Sequence, residues 1–448
     1  MTTTDHIPRR ATSSLNNILI SVWVLLFASG SLHAQPLTSG DERRETAGAN
    51  TDPAPTADNI TSVRFQFSGF GTLGLVYTDA KDLRFIRPSV NSFSRENPDS
   101  GPDSVIGVQG NLSLGQRTAV VVQAISRKNT KNNYEPHPTL AFVSFAITPN
   151  LTVRAGRLRM PFFVLSDTID INYANPWIRP STEIYSLVPF NDLDGADILI
   201  NNSFGEWNTE LRAFLGNSSA NTYQGGKGRL KQRGVNVTAT VTNGKLTLFA
   251  AHGTARLSMK WRDEGFLQLS EGLRLYDLAT GGTTGNDILQ DLSGEKGQGR
   301  VSSAAVQWDN TFWLFIAQYG RLSTTRYTPN AHAWDLTAAR RLGNFMPYLS
   351  YARHKANGKI TSLTAKGTGV PLIDEGIRDF TASRTLAQRR ATLGLRWDFY
   401  RNTAFKVEYS RIHIDKNSWG SFFPTDLTNI RMGDRRVNTI GASIDVTF

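Results

Sequence analysis

The sequence predicts an all-β fold, a transmembrane antiparallel β-barrel of about 16 strands, and three observations carry that expectation. Residues 437–448 alternate strictly, with Ile440, Ala442, Ile444, Val446 and Phe448 on one face and Thr439, Gly441, Ser443, Asp445 and Thr447 on the other. Successive side chains of a strand point to opposite sides, so this segment has one greasy and one wet wall. After an apparent secretory leader, no apolar run is long enough for a membrane helix. Alternating segments are joined by connections that are short and long in turn, which an up-and-down barrel requires and a soluble sandwich does not.

The N-terminus is read first. Arg9 and Arg10 precede an 11-residue apolar core at 18–28, short of the roughly 17 residues a permanent span needs. Residues 1–34 are therefore a signal peptide, cleaved after Gly30 or Ala34. Residues 35–62 form a flexible N-terminal segment, because 38–59 is rich in Thr, Ala, Pro, Asp and Glu and has too few large apolar side chains for a core. Residues 63–448 form the barrel domain. A hydrophobic content of 39 % suits a wall of which only alternate residues meet lipid. The chain has no cysteine, which excludes disulfides, thiolate metal sites, a cysteine nucleophile and a lipidated N-terminal cysteine.

Sixteen strands are expected at 63–77, 105–114, 118–127, 139–147, 151–158, 196–204, 207–215, 234–241, 245–254, 301–308, 312–321, 332–341, 345–354, 389–399, 403–412 and 437–448. The tight connections Gly115-Gln116-Arg117, Thr148-Pro149-Asn150, Gly205-Glu206, Asn243-Gly244, Asp309-Asn310, Gly343-Asn344 and Tyr400-Arg401-Asn402 carry hairpin residues and are assigned to the periplasmic side. The eight longer, more polar connections between them are assigned to the outside. Aromatics crowd the short turns, with Phe204 and Trp207 at one and Trp308, Phe312 and Trp313 at another. Repetition at turn after turn marks a headgroup-level girdle.

Alternation also sorts charge. Ala391, Leu393, Leu395, Trp397 and Phe399 take the lipid face, which leaves Arg390, Thr392, Gly394, Arg396 and Asp398 inward. Lys406 and Glu408, Arg154, Arg212 and Glu210, and Arg64 and Gln66 share the inward parity. Exposing such groups to hydrocarbon costs on the order of 2 to 4 kcal/mol each near the midplane, so the lumen is wet and charged. The third long connection, 159–195, carries Met160, Phe162, Phe163, Leu165, Tyr173, Trp177, Tyr185, Leu187 and Phe190, more apolar residues than a free loop keeps. It is expected to fold into the barrel, its apolar residues against the wall and Asp167, Asp170, Glu183, Asp192 and Asp194 lining the passage opposite wall arginines. Opposed charges across a narrow gap give a transverse field that sorts solutes by size and charge. Subunit contact is the rival use for an apolar loop.

The leader, the strand count, the terminal Phe448, the aromatic girdles and the long third connection make the chain resemble a Gram-negative general porin over about 63–448. The resemblance implies a water-filled outer-membrane channel, an inward-folded third loop, a homotrimer, and Phe448 as part of the signal read by the barrel-assembly machinery. It also implies a constriction built from the acidic loop residues facing Arg154, Arg212 and Arg396, with no catalytic, cofactor or metal residues. The chain departs from many such proteins in its basic balance. Its formal charge is +11, barely altered without residues 1–34, which carry Arg9, Arg10 and Asp5. That leans towards anion passage, although part of the excess can lie beside outer-membrane lipid and anionic lipopolysaccharide.

Other readings are weaker. Gly69-Phe70-Gly71-Thr72-Leu73-Gly74 fits G-x-G-x-x-G, yet Leu75-Val76-Tyr77 continues a strand where a phosphate-binding turn needs a helix. The histidines show no metal-ligand spacing, and the basic residues form no nucleic-acid-binding motif. The expectation is passive diffusion of small hydrophilic solutes and ions through a non-enzymatic pore. The alternatives are a porin selective for phosphate or another anion, and an outer-membrane barrel hydrolase, which needs a Ser and a His within hydrogen-bond reach.

Overall fold

The computed structural model of the protein describes residues 63–222, 226–241, 244–261, 263–425 and 434–448. The expected leader at 1–34 and flexible segment at 35–62 lie outside the described residues.

Sixteen antiparallel strands close into one barrel. In chain order they are β1 (Val63–Thr78), β2 (Val105–Leu114), β3 (Thr118–Arg127), β4 (His137–Thr148), β5 (Leu151–Arg159), β6 (Asp192–Phe204), β7 (Trp207–Asn221) and β8 (Gly226–Val241). There follow β9 (Leu246–Trp261), β10 (Gly297–Asp309), β11 (Trp313–Thr324), β12 (Ala331–Arg340), β13 (Phe345–Ala356), β14 (Gln388–Tyr400), β15 (Thr403–Ile414) and β16 (Arg435–Thr447). Each pairs with its sequence neighbours, and β16 closes on β1 in a register running from Phe70 opposite Thr447 to Thr78 opposite Thr439.

The alternation of β16 holds in three dimensions. Ile440, Ile444 and Phe448 are exposed on the outer surface, while Thr439, Gly441, Ser443 and Asp445 are buried on the inner one. One outward row runs Leu349, Leu393, Tyr409, Ile440, Tyr77 across five neighbouring strands, every member exposed. A continuous exposed apolar belt of this kind needs hydrocarbon against it. Among the described residues no helix is long and apolar enough to cross a membrane. Near the short turns the rings stack: Trp308 on Phe315 at 5.5 Å, Trp313 on Phe315 at 5.7 Å and Phe345 on Trp397 at 5.8 Å.

The glycine-rich stretch from Gly69 to Gly74 lies wholly within β1. Two of its glycines are explained by close approach. Gly69 exchanges backbone hydrogen bonds with Phe448, N–H to O at 2.7 Å and the reverse at 2.9 Å, and a Cβ there would overlap the Phe448 ring. A Cβ on Gly74 would overlap Asp103 of the first connection. The seam is clasped above the belt as well. Short strands Leu83–Arg87 and Ser92–Phe93 of the first connection join Phe422–Pro424 of the last in a small sheet. Under it Leu83, Phe85 and Phe422 pack on Val76, Ile412 and Val437.

Two features depart from the sequence expectation. Several strands on one side rise further: β8 begins at Gly226 rather than 234, and β9 runs to Trp261 rather than 254. In these extensions the outward residues are Lys227, Lys231, Arg256 and Lys260 while the inward ones are Gly228, Leu257, Met259 and Trp261, so the oil-outside pattern is reversed and stops marking a strand. The long connections also hold helices. The third carries the single turn α1 (Thr182–Tyr185), the fifth α2 (Glu264–Thr280) and α3 (Thr284–Ser293), and the seventh α4 (Ser362–Lys366) and α5 (Pro371–Ser383). Asp263 caps α2 by accepting from Phe266 N–H at 3.1 Å, and Gly281 and Gly294, both at φ +67°, end α2 and α3 in the left-handed conformation glycine favours. Phe266, Leu269 and Leu273 of α2 recur at helical spacing and pack with Ile288, Leu292 and Phe380 on the inner face of β9 at Leu257, Met259 and Trp261.

The outer belt sets an expectation for stability. Leu393→Arg places a cation in hydrocarbon and should destabilise the barrel by about 2 to 4 kcal/mol, whereas Gln66→Arg, exposed on the inner surface, should change it by less than about 1 kcal/mol. Urea titration of folding into phosphatidylcholine vesicles measures both.

Candidate functional site

The lumen is divided by the third connection, residues 160–191, and the inner wall holds it in two ways. On the β8–β12 side the inner wall is apolar and shallow. Phe249, Ala251, Val301, Ala305, Ala331 and Ala333 pack with Phe162, Phe163, Leu187 and Phe190 of the connection. Strand glycines make the sockets: a Cβ on Gly253 would come within 2.5 Å of the Phe162 ring, on Gly320 within 2.6 Å of Leu187, and on Gly228 within 2.7 Å of the Phe190 ring. Polar wall groups satisfy the connection's backbone between these contacts. Asn236 Nδ2 donates to Pro161 O at 3.1 Å, Ser303 Oγ donates to Phe162 O, and Trp177 Nε1 donates to Thr337 Oγ1 at 3.2 Å.

Elsewhere charge does the holding. Lys406 Nζ donates to Asn172 O at 2.7 Å and Trp177 O at 2.9 Å and pairs with Asp445 at 2.9 Å. Glu408 Oε1 accepts from Ile178 N–H and from Tyr348 Oη, both at 2.7 Å. Arg179 grips Asp103 of the first connection with two hydrogen bonds, Nε to Oδ1 at 2.7 Å, and Arg87 lies 3.7 Å from the same carboxylate. Burial alone would raise the pKa of Asp103, but the guanidiniums of Arg179 and Arg87 outweigh it and hold the group below the ordinary carboxylate range. Asp170 behaves alike: burial raises it, Arg127 and Arg159 prevail, and it too stays below the ordinary range. Buried ion pairs of this kind add little net stability but are costly to break on one side, so they fix the connection's position.

On the β5–β7 side the connection meets the wall at Phe162, whose ring packs edge-on against Phe214 at 5.4 Å, and through exposed charge. Arg154 makes a bidentate pair with Asp197, at 2.9 and 2.7 Å, and Arg212 Nε reaches the same carboxylate at 2.6 Å. Across from them Asp167, its side chain 75 % exposed, lies 3.9 Å from Arg212 Nη1. Arg154 is 20 % exposed while Asp197 is enclosed, and Glu210, on the inward face of β7, is half-buried. Water beside these groups therefore meets the Arg154 guanidinium and the Glu210 carboxylate on the wall and the Asp167 carboxylate on the connection.

The residues singled out from the sequence fall in different places. Asp167, Arg154 and Arg212 lie together on the β5–β7 side. Asp170 is buried between Arg127 at 2.8 Å and Arg159 at 2.7 Å. Glu183 is buried against Gln388 and against Arg390, whose Nε donates at 3.1 Å. Asp192 opens β6 and pairs with Arg159 at 3.2 Å. Asp194 pairs with Arg157 at 2.7 Å and, by strand alternation, lies on the face of β6 opposite to Asp197. Arg396 donates to Tyr173 O at 2.7 Å and Asn175 O at 3.1 Å, and also to Asp398. The sequence reading missed Asp103, Arg127, Arg159, Arg179 and Asp197. Inward parity was available as a signal for Arg127 and Asp197, but nothing local marks Asp103 as the partner of a residue 76 positions away. Among the described residues no group of His, Cys, Asp and Glu is arranged to hold a metal ion.

Known proteins share this architecture. The family description Gram-negative porin matches residues 21–359. No curated protein matches the sequence. Among solved structures, the anion-selective porin from Comamonas acidovorans is similar at 11 % identity and TM-score 0.50, over 86 % of this chain and 100 % of that one. The outer membrane channel DcaP of Acinetobacter baumannii is similar at 11 % identity and TM-score 0.50, over 86 % and 97 %. At such identity the solved structures show a common fold alone. Since the family description spans most of a chain that closes into a 16-stranded barrel, the chain belongs to the Gram-negative porin family and forms a channel in the outer membrane.

Proposed function

We propose that the channel passes small hydrophilic solutes and ions by passive diffusion through the water-filled space that Asp167 and Arg154 border, with a modest preference for anions. The observation that carries this reading is the exposure of Asp167 on the connection and of Arg154 on the wall, while Asp170, Glu183 and Asp192 are engaged as anchors. Small solutes with a dipole align in such a field, and larger apolar ones must strip the ordered water. The net charge of +11 favours anions, and a fold relative is described as anion-selective. Beside the arginines Asp167 and Glu210 offset their charge, which keeps the preference small. The assembly that suits the family is a homotrimer, with Phe448 at the closing seam as the element the assembly machinery reads.

A barrel hydrolase gains little support. His252 Nδ1 does lie 2.8 Å from Ser302 Oγ, but both are on the outer face, and no described residue hydrogen-bonds the other ring nitrogen to orient it.

Three outcomes test the reading. In a salt gradient across a planar bilayer, Asp167→Asn should shift the reversal potential towards anions and Arg154→Gln towards cations, each changing the permeability ratio by about two- to five-fold; unchanged potentials would move the constriction elsewhere. Deleting 162–190 should raise single-channel conductance, and a conductance equal to the parent's would rule out the connection as the narrowing element. The Asp103–Arg179 clasp should persist on acidification, since a depressed carboxylate keeps its stabilising charge until pH falls through its lowered value. Conductance should stay level as pH falls towards the ordinary aspartate value of about 3.9 and rise only below it.

A further inference from the structure

Beside the third connection the inner wall is hollow. One inward row crosses β9 to β13 as Gly253, Val301, Leu322, Ala331 and Ala356. The next row outward along the barrel carries Gln232, Ala255, Gly299 and Thr324. Side chains this small leave a cavity of about 140 Å³, closed by Leu187, Val188 and Phe190 of the third connection and by Tyr327, Pro329 and Leu386 of the sixth and seventh. Its lining is mainly apolar. Leu230, Leu322 and Ala356 face inward yet are only half-buried, so a solute in the lumen reaches it.

Three polar side chains line the same cavity, and each has its donor committed elsewhere. Gln232 Nε2 donates to Ser218 Oγ at 2.6 Å, and that hydroxyl donates in turn to Asp192 O. Asn91 Nδ2 donates to Pro189 O at 3.1 Å. His354 Nδ1 lies 2.9 Å from Glu183 O; a carbonyl only accepts, so Nδ1 carries the proton and the neutral ring keeps a lone pair at Nε2. Gln232 Oε1 and Asn91 Oδ1 are buried without a partner, and no described residue hydrogen-bonds His354 Nε2. Buried acceptors left unmet are costly, and each calls for a donor.

We infer that this cavity binds a single aromatic ring carrying a hydroxyl, a small neutral phenol. Size, lining and polarity agree. An apolar cavity of about 150 Å³ takes up benzene, and the apolar wall here suits the two faces of such a ring. A hydroxyl on the ring supplies the donor that the open lone pairs require. A carboxylate does not fit, because those lone pairs would face its charge and the cations nearby are turned to other work. Arg384, which also lines the cavity, lies over the Phe380 ring at 3.5 Å and the Trp261 ring at 4.2 Å, with Asp263 at 3.9 Å. Arg300 takes the outward parity of β10. The site goes beyond passive diffusion and does not depend on where the ion path narrows: it retains one class of solute within the lumen.

The test uses the folded barrel in detergent at about pH 7, where a phenol keeps its proton, with 4-fluorophenol as the probe and fluorine NMR as the readout. The comparators are 4-fluorotoluene, of nearly the same shape without the donor, and the anion 4-fluorobenzoate. The wild type should bind 4-fluorophenol saturably, about one ring per barrel, and at least about threefold more tightly than either comparator. Gly299→Leu directs a side chain into the hollow, where a Cβ would meet only Thr324 at 4.0 Å. It should fold, conduct as the parent does, lose about tenfold or more in affinity for 4-fluorophenol, and serve as the blank for uptake by detergent. If it does not fold, Ala356→Leu, which fills the same cavity from β13, should lower the affinity by about threefold or more. Equal affinity in the filled variant would place the ring elsewhere, 4-fluorotoluene bound as tightly as the phenol would leave the acceptors to water, and tighter binding of 4-fluorobenzoate would make this an anion site. Each of these results overturns the phenol assignment. A barrel that conducts normally yet binds no ring removes this inference and leaves the channel reading intact.

Discussion

A backbone crossing hydrocarbon has no water to hydrogen-bond, so every N–H and C=O of the wall must find its partner in another strand. The remaining architecture depends on that constraint. It forces β16 back onto β1, makes an open edge intolerable, and leaves side chains free to divide strictly between an oily outside and a wet inside. Glycine at position 69 is part of the same solution, since the Phe448 ring occupies the space a side chain there would need while its backbone completes the ladder.

Enclosing the lumen creates a second demand. A wide cylinder of this strand number is an unselective hole unless something occupies it, and the occupant must be held on all sides without a hydrophobic core of its own. The third connection is fixed by different chemistry on different arcs of the wall: glycine sockets and apolar packing on β8–β12, and lysine, glutamate and arginine clamps on its backbone and acids elsewhere. Towards β5–β7 it adds an exposed carboxylate, Asp167, beside Arg212 to the packing of Phe162 on Phe214. Position, more than composition, thus separates an acid that anchors from an acid that meets solutes.

How much of this was legible in the sequence follows from the range of each interaction. The period-two alternation that marks β1, β14, β15 and β16 is local, and the strands, their inward charges and the bend-permitting glycines could be read directly. The extensions of β8 and β9 were hidden because their outer face is cationic and their inner face apolar, the reverse of the pattern that defines a lipid-facing strand. The helices α2 and α5 were passed over within polar connections, although Phe266, Leu269 and Leu273 carried helical spacing. Asp167 and Asp170 lie three residues apart and look alike in sequence, yet one is exposed and the other enclosed by Arg127 and Arg159. That difference arises from contacts made across the lumen, which no local pattern encodes.

The small sheet that joins the first and last connections binds surface segments from opposite ends of the chain, residues 83–93 and 422–424. Neither segment can be lengthened or redrawn alone, because each supplies hydrogen-bonding edges to the other. The barrel therefore presents there a composite surface rather than a linear one. Anything that grips it reads two distant stretches of sequence at once, and a change in one stretch is felt by the other.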